Sequence, residues 1–373
     1  MPDARFLRNV LIKALLLFAA CNLVFAAWDP QAILGKLSAY NLLFPGRQRF
    51  PFGEDAAHSY NLSMYNLDAM FASLAVNGAR KPPNEYRVLL LGDSSVWGTL
   101  LHPAETLAGQ IDSAGLALCG KRVNVYNLGY PTLSLAKDLM VLDQAMRYRP
   151  DLIIWPVTLE SFPADKQLSS PIVANNPQRV ADLIQKYGLK LDANDPALAK
   201  PSFWQRTIVG QRRALADLAR LQFYGVMWAA TGIDQDYPAK YEPAQRDLDK
   251  DDAYHGWQPP ALPLDSLSFD ILAAGIKAAG KTPVLLVNEP ILVSTGRNSD
   301  IRYNFYYPRW AYDQYRQALT EKSRQAGWHL LDAWDLAPQS EFTNSAIHLT
   351  PQGESQLAGS VMNTLKHETW TCE

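Results

Sequence analysis

Short apolar runs alternate along the chain with stretches whose apolar residues recur every three to four positions. The runs fall at residues 86–91, 123–128, 151–158, 282–287 and 328–331. They are rich in Val, Leu and Ile, and they end on turn formers: Gly92, Gly129-Tyr130-Pro131, Asn288-Glu289-Pro290 and Asp332. Such runs predict strands, and their apolar character predicts a sheet buried on both faces. Helical periodicity lies at 60–78, closed by Gly78 and Lys81-Pro82-Pro83, at 103–118, and at 135–148 ahead of Pro150. Further helices are expected before and after the fourth and fifth strands. The rhythm predicts a doubly wound α/β domain with five parallel strands.

One block breaks it. Residues 162–262 are rich in Pro and Asp, with helical pieces near 178–187 and 203–228. This reads as a mostly helical insertion at the open end of the sheet, where substrate would enter. Its apolar stretch 221–230 is too short to span a bilayer. Two readings stand: an interfacial helix with Arg212, Arg213 and Arg220 upstream, or a core-facing helix capping the sheet.

At the N-terminus, Arg5, Arg8 and Lys13 lead into the apolar stretch 14–27. Counted from Val10, with Lys13 snorkelling, it approaches the roughly 20 residues a bilayer requires. Positive charge ahead of it predicts a cytoplasmic N-terminus and an exported remainder, at the cell surface or in a periplasm. Cleavage after 24–26 and lipidation at Cys21, behind the imperfect lipobox Phe18-Ala19-Ala20, are the alternatives. Apolar residues continuing past Cys21 favour a retained anchor. The expected division is an anchor at 1–30, a linker with a leading helix at 31–85, and the α/β domain at 86–373 with its insertion at 162–262. Within 40–54 the residues Pro45, Gly46, Pro51 and Gly53 suggest an extended linker, with Arg47 and Arg49 at headgroup level.

Composition narrows the function. Of 373 residues, 48% are hydrophobic and 19% charged, which suits a globular core. A net charge of −2 gives no basic footprint for nucleic acid. If Cys21 lies in the membrane, Cys119 and Cys372 are left to pair in an oxidising compartment, or to remain free thiols. No CxxC, HExxH, Walker loop or complete GxGxxG is present, so neither a metal nor a nucleotide is expected.

The chemistry gathers after the first strand. Gly92-Asp93-Ser94 falls where open α/β sheets bind ligands, beyond the strand carboxyl ends. A serine hydroxyl needs an adjacent base, and His348 stands in a loop just before the last helix. His58, His102, His255, His329 and His367 sit in linker, loop, insertion, strand and C-terminal end. Asp93 suits a role in bracing the turn, and Trp97 one in packing beneath it. Arg302, Tyr303 and Arg309 lie in a polar, aromatic stretch that suits a sugar or acidic glycan. The same stretch reads equally as a packed loop with an Arg–carboxylate pair.

Gly92-Asp93-Ser94, the Asn127-Leu128-Gly129 turn and the late His together resemble the SGNH (GDSL-type) hydrolase superfamily. The match covers residues 86–158 and 264–365 and leaves out the anchor and the insertion. The resemblance implies a flavodoxin-like sheet, no cofactor, and ester hydrolysis or acyl transfer through an acyl-serine. Ser94 would be the nucleophile and His348 the base, with the backbone N–H groups of Ser94 and Gly129 in the oxyanion hole. An anchored, exported form resembles the accessory members that modify cell-surface glycans with acetyl groups.

Two positions depart from that pattern. Where the family carries an oxyanion-donating Asn, this chain has Glu160, with Thr158 and Asn288 as other candidates. Where the family's acid stands three residues before the His, this chain has Ser345 beside Asn344, so Asp332 or Asp335 could orient the ring instead. The expectation is therefore a serine esterase or O-acyltransferase acting on an acylated carbohydrate, a cell-envelope polymer or a small ester. The alternative is a catalytically reduced module that binds glycan or partners a membrane acyltransferase.

Overall fold

Strands form where the apolar runs predict them. The computed structural model describes residues 3–28, 30–44, 47–52, 61–368 and 370, so His58, Cys372 and part of the 40–54 linker lie outside the described residues. The strands are β1 (Glu85–Leu90), β2 (Ala117–Leu118), β3 (Lys121–Asn127), β4 (Leu152–Val157), β5 (Val284–Asn288) and β6 (His329–Asp332). They form one sheet in the order β2-β3-β1-β4-β5-β6. All pairs are parallel except β2 with β3. Without β2, this is the flavodoxin-like order of a doubly wound sheet. The short antiparallel edge was not expected. Residues 103–118 do not form one helix: after Ser113 the chain turns back, and Leu116 and Leu118 cover the outer core.

The longer helices are α1 (Ala4–Trp28), α2 (Leu107–Ser113), α3 (Leu135–Ala145), α4 (Pro177–Tyr187), α5 (Arg212–Thr231), α6 (Phe269–Ala279), α7 (Arg309–Ala326) and α8 (Pro351–His367). Period-two alternation distributes the central strands between two layers. Val88, Leu90, Ile154, Leu285 and Val287 pack under α2 and α8. Leu89, Leu91, Ile153, Trp155 and Leu286 pack under α3, α6 and α7. Every residue of β1, β4 and β5 is buried, as strands covered on both faces must be.

Two segments differ from expectation. The helical pattern at 60–78 is broken into short pieces because Asn61 and Asn66 turn their side chains onto Ser63 N–H and Ala69 N–H, starting a new turn each time. In the insertion, α4 and α5 match the helical pieces, but the arm 232–263, broken by Pro238, Pro243, Pro259, Pro260 and Pro263, has neither helix nor ladder strand.

This arm is held by polar contacts. The Arg49 guanidinium, 1% exposed, donates to both Asp234 oxygens at 2.8 and 2.7 Å. It also donates to the Gly98 carbonyl at 2.9 Å and lies 4.4 Å over the Trp97 ring. Gln235 accepts from Leu100 N–H at 2.7 Å and donates to the Gly98 and Leu101 carbonyls. Arg49 therefore does not reach a headgroup layer; it straps the insertion to the turn after β1. Cys119 is disulfide-bonded and Cys21 is free.

A buried forked ion pair leaves a costly orphan when one partner is removed. Arg49→Ala is expected to lower unfolding free energy by about 3–5 kcal/mol in urea titration. An Arg49→Met/Asp234→Leu double variant should recover most of that loss. Equal loss in both variants would show that the pair itself is not what matters.

Candidate active site

Ser94 opens a one-turn helix, Ser94–Trp97, directly beyond β1. The turn is tight because Gly92 sits at φ +146, where a side chain is strained, and a Cβ there would lie 2.4 Å from Val96 Cγ2. Asp93 caps the helix, accepting from Ser95 N–H at 2.8 Å, the bracing role its position suggested. The Asn127-Leu128-Gly129 turn presses onto the same helix. A Cβ on Gly129 would stand 2.4 Å from Trp97 N, so only glycine permits this approach. The sheet order reverses between β1 and β4, and the crevice there is the topological switch point at which such sheets bind ligands.

His348 reaches this crevice from the loop before α8. Phe342 and Leu349 bridge the base of the loop, and Thr343 N–H donates to the His348 carbonyl at 2.9 Å. Thr350 then caps α8. Nε2 of His348 stands 2.8 Å from Ser94 Oγ, across a sequence separation of 254 residues. Nδ1 stands 3.3 Å from Asn344 Oδ1. With a carbonyl oxygen facing Nδ1, that nitrogen carries the hydrogen and Nε2 is free to accept from the serine. Desolvation lowers the imidazole pKa to about 4, and among the described residues no carboxylate faces the ring to raise it.

Carboxyl groups underlie the Ser94 turn. Ser95 Oγ donates to Glu289 at 2.6 Å. Lys137 Nζ, fully buried, donates to the Gly92 carbonyl at 2.6 Å and to Asp138 at 2.5 Å. Asp93, Asp138, Glu289 and Glu354 are all buried, and desolvation raises the pKa of each, that of Glu354 to about 8. Among the described residues, Glu289 Oε1 and Glu354 Oε2 are buried without hydrogen-bond partners, beside a cavity of about 10 Å³ that both residues line. Burial thus favours the uncharged form of both groups.

The remaining predicted site residues fall into three groups. Ser94, His348 and Asn344 come together. Ser94 N–H has no acceptor among the described residues, but Gly129 N–H is already taken by Asn127 Oδ1 at 2.8 Å. Gly129 is thus needed for close approach, and its N–H is not a free oxyanion donor. Each of the three candidates for the third donor is engaged with protein partners. Glu160 binds Lys166, His255 at 3.2 Å and Tyr254 at 3.0 Å. Burial alone would raise its pKa, but His255 and Lys166 hold it below the usual range as a carboxylate. Thr158 Oγ1 pairs with the Tyr307 hydroxyl at 2.9 Å. Asn288 donates to Asp332 and accepts from Tyr312 and Tyr315.

For orienting the ring, Asp332 is taken by Arg316 at 2.7 Å, Asp335 is exposed, and neither Asp335 nor Ser345 bonds His348. Arg302 is corrected outright as a substrate group. Its guanidinium donates to the backbone carbonyls of Asn304, Asp251, Ala253, Phe305 and Tyr306. Tyr303 is buried on Asp313, and Arg309 binds the Ser299 carbonyl while lying 4.3 Å over the Tyr303 ring. The stretch is the packed loop of the second reading, though Arg302 is held by carbonyls rather than a carboxylate. The sequence pattern assigned no part at this turn to Lys137, Asp234, Gln235 or Glu289, and it placed Arg49 elsewhere. Lys137-Asp138 was the visible clue, a charged pair inside an otherwise apolar helical pattern.

The fold and site define a class: a doubly wound α/β domain carrying a serine–histidine pair at its switch point, with no carboxylate on the ring. No protein-family model matches the chain, and no curated protein matches it. Among solved structures it is similar to a member of the lipolytic G-D-S-L family from Veillonella parvula, at 9% identity and TM-score 0.37, covering 76% of this chain and 99% of that one. It is also similar to a putative arylesterase from Agrobacterium tumefaciens, at 12% identity and TM-score 0.35, covering 75% and 98%. A carbohydrate acetylesterase from Sinorhizobium meliloti gives 14% identity and TM-score 0.34 over 75% and 98%. Superpositions this loose carry no argument about the chemistry of this chain.

The buried acids make stability depend on pH. Glu354 has an ordinary pKa of 4.5 and one of about 8 when folded. Between those values the unfolded chain gives up a proton that the folded chain keeps, so stability falls as pH rises and levels off above about 8. Glu354→Gln should flatten this decline and raise the melting temperature at pH 8 relative to the parent. A parent whose melting temperature climbs from pH 5 to 8, with no change on substitution, would contradict the buried acid.

Proposed function

We propose that this chain is a membrane-anchored, extracytoplasmic SGNH-type serine esterase or O-acyltransferase. Its substrate class is an acylated carbohydrate or cell-envelope polymer. The supporting observation is the 2.8 Å approach of His348 Nε2 to Ser94 Oγ at the sheet's switch point. Anchoring rests on α1, one helix of 25 residues with the length and apolar character to cross a bilayer. In this reading, residues 1–30 form the anchor, 31–85 the linker and 86–373 the catalytic domain with its insertion at 162–262.

The chemistry runs as follows. Ser94 Oγ attacks the ester carbonyl carbon while its proton passes to His348 Nε2. The carbonyl oxygen becomes the oxyanion and receives the Ser94 N–H. As the tetrahedral adduct collapses, the leaving alkoxide takes the proton from Nε2, and the acyl group remains on Ser94. Water or a sugar hydroxyl then gives its proton to Nε2 and attacks the acyl carbon, releasing Ser94. Asn344 fixes the tautomer through its Oδ1 but supplies no negative charge to the imidazolium.

The absence of that charge, together with the engaged Gly129 N–H, supports a second reading. In it the module binds an acylated glycan, or partners a membrane acyltransferase, with little turnover of its own.

Aryl-ester hydrolysis separates the two readings. Ser94→Ala and His348→Ala should each lower kcat by about 10³-fold or more, and a fluorophosphonate should label only chains that retain Ser94. Turnover indifferent to Ser94 would favour the binding reading. The acid limb of kcat/KM should lie near pH 4, following His348. Asn344→Asp should place a carboxylate on Nδ1, move that limb toward neutrality and raise kcat. An unmoved limb would mean that His348 is not the base.

A further inference from the structure

The insertion carries an apolar surface left uncovered among the described residues. Trp204 is 71% exposed, Phe223 72%, Met227 59% and Ile233 51%. Leu42 and Leu43, in the short helix Ala39–Leu43 that packs on α5, are 83% and 66% exposed. The inner face of α5 is fully used. Gly225 lies against the Tyr40 ring, and Gln222 accepts from Ala39 N–H at 2.7 Å and donates to the Leu37 carbonyl at 3.1 Å. The outer face therefore pairs an apolar C-terminal half, Phe223, Tyr224 and Met227, with exposed Arg212, Arg213 and Arg220 in the N-terminal half. That is the composition of a helix lying in a bilayer interface.

A second observation fixes the depth. The domain grips α1 before its end: Val209 N–H donates to Asn22 Oδ1 at 3.1 Å, and Asn22 and Ala26 are the buried residues of α1. From Arg8 to Trp28 the helix rises about 30 Å, the thickness of the hydrocarbon layer. With those two residues at the boundaries, Asn22 lies six residues, about 9 Å, inside the far leaflet. Whatever bonds Asn22 enters that leaflet too. The bonded segment exposes the apolar residues Phe203, Trp204 and Val209, with Gln205 as its exposed polar side chain.

We infer that the insertion is a lipid-seated platform: residues 203–209 and the apolar C-terminal half of the outer face of α5 sit in the far leaflet beside the span, Arg212, Arg213 and Arg220 reach its headgroups, and together they fix the catalytic domain against the membrane surface. The occupant of the apolar face is lipid, because its 203–209 end lies against the span itself. The inference rests on the anchoring reading of α1.

The test uses the full chain with Cys21→Ser, reconstituted in phosphatidylcholine vesicles that contain lipids doxyl-labelled on the upper acyl chain. A bimane probe is placed in turn at Trp204→Cys, Phe223→Cys, Leu16→Cys and Gln325→Cys, with the Cys21→Ser chain as labelling blank. Expected is at least twofold quenching at 204, 223 and 16, and none at 325. Quenching at 16 without quenching at 204 and 223 overturns the platform and leaves the anchor standing. If 16, 204 and 223 are all unquenched, both fall. A platform built to meet a membrane protein would also leave 204 and 223 unquenched in lipid alone, which overturns the inference.

Discussion

The arrangement depends on one constraint: the turn after β1 must hold its shape while carrying a hydroxyl at its tip. Glycine at 92 permits the turn and Asp93 closes it, but neither would fix it against the rest of the sheet. That is done from below by Lys137, a buried cation on the Gly92 carbonyl, and from the side by Arg49, whose guanidinium joins the Gly98 carbonyl to Asp234. Charged groups at these depths are tolerated only when paired and hydrogen-bonded, and here each is. The serine is thus positioned by cations several bonds away from it, and the histidine comes to a place already prepared.

The same economy of charge sets the character of the pair. Asp138 and Asp93 answer Lys137, and desolvation pushes the neighbouring Glu289 and Glu354 toward their uncharged forms. At the open end, a neutral amide stands where a carboxylate would sharpen the base. The hydroxyl and the ring therefore meet with an amide rather than a charge on the far nitrogen of the imidazole.

Much of this was legible beforehand. The five parallel strands lie within two or three residues of the runs that predicted them, because a strand buried on both faces has few options but Val, Leu and Ile. The serine turn and the late histidine were legible for the same reason: their residue types are scarce and their positions in the strand–helix rhythm are fixed. The edge strand β2 was not, since two residues paired by a hairpin carry no periodicity. Nor were Arg49, Asp234 and Gln235, whose partners are distant in sequence and whose local surroundings read as linker and loop. Arg302 misled in the opposite direction. An arginine among tyrosines has the composition of a ligand site, and only coordinates show that five carbonyls already consume its donors.

One feature of the topology bears on how the chain comes to exist. β4 and β5 are neighbours in the sheet, but the whole insertion separates them in sequence, and the serine meets a histidine 254 residues later. Contacts so remote assemble late, after the long loop between them has closed. A growing chain would therefore hold a serine without its histidine partner until the loop that carries His348 arrives.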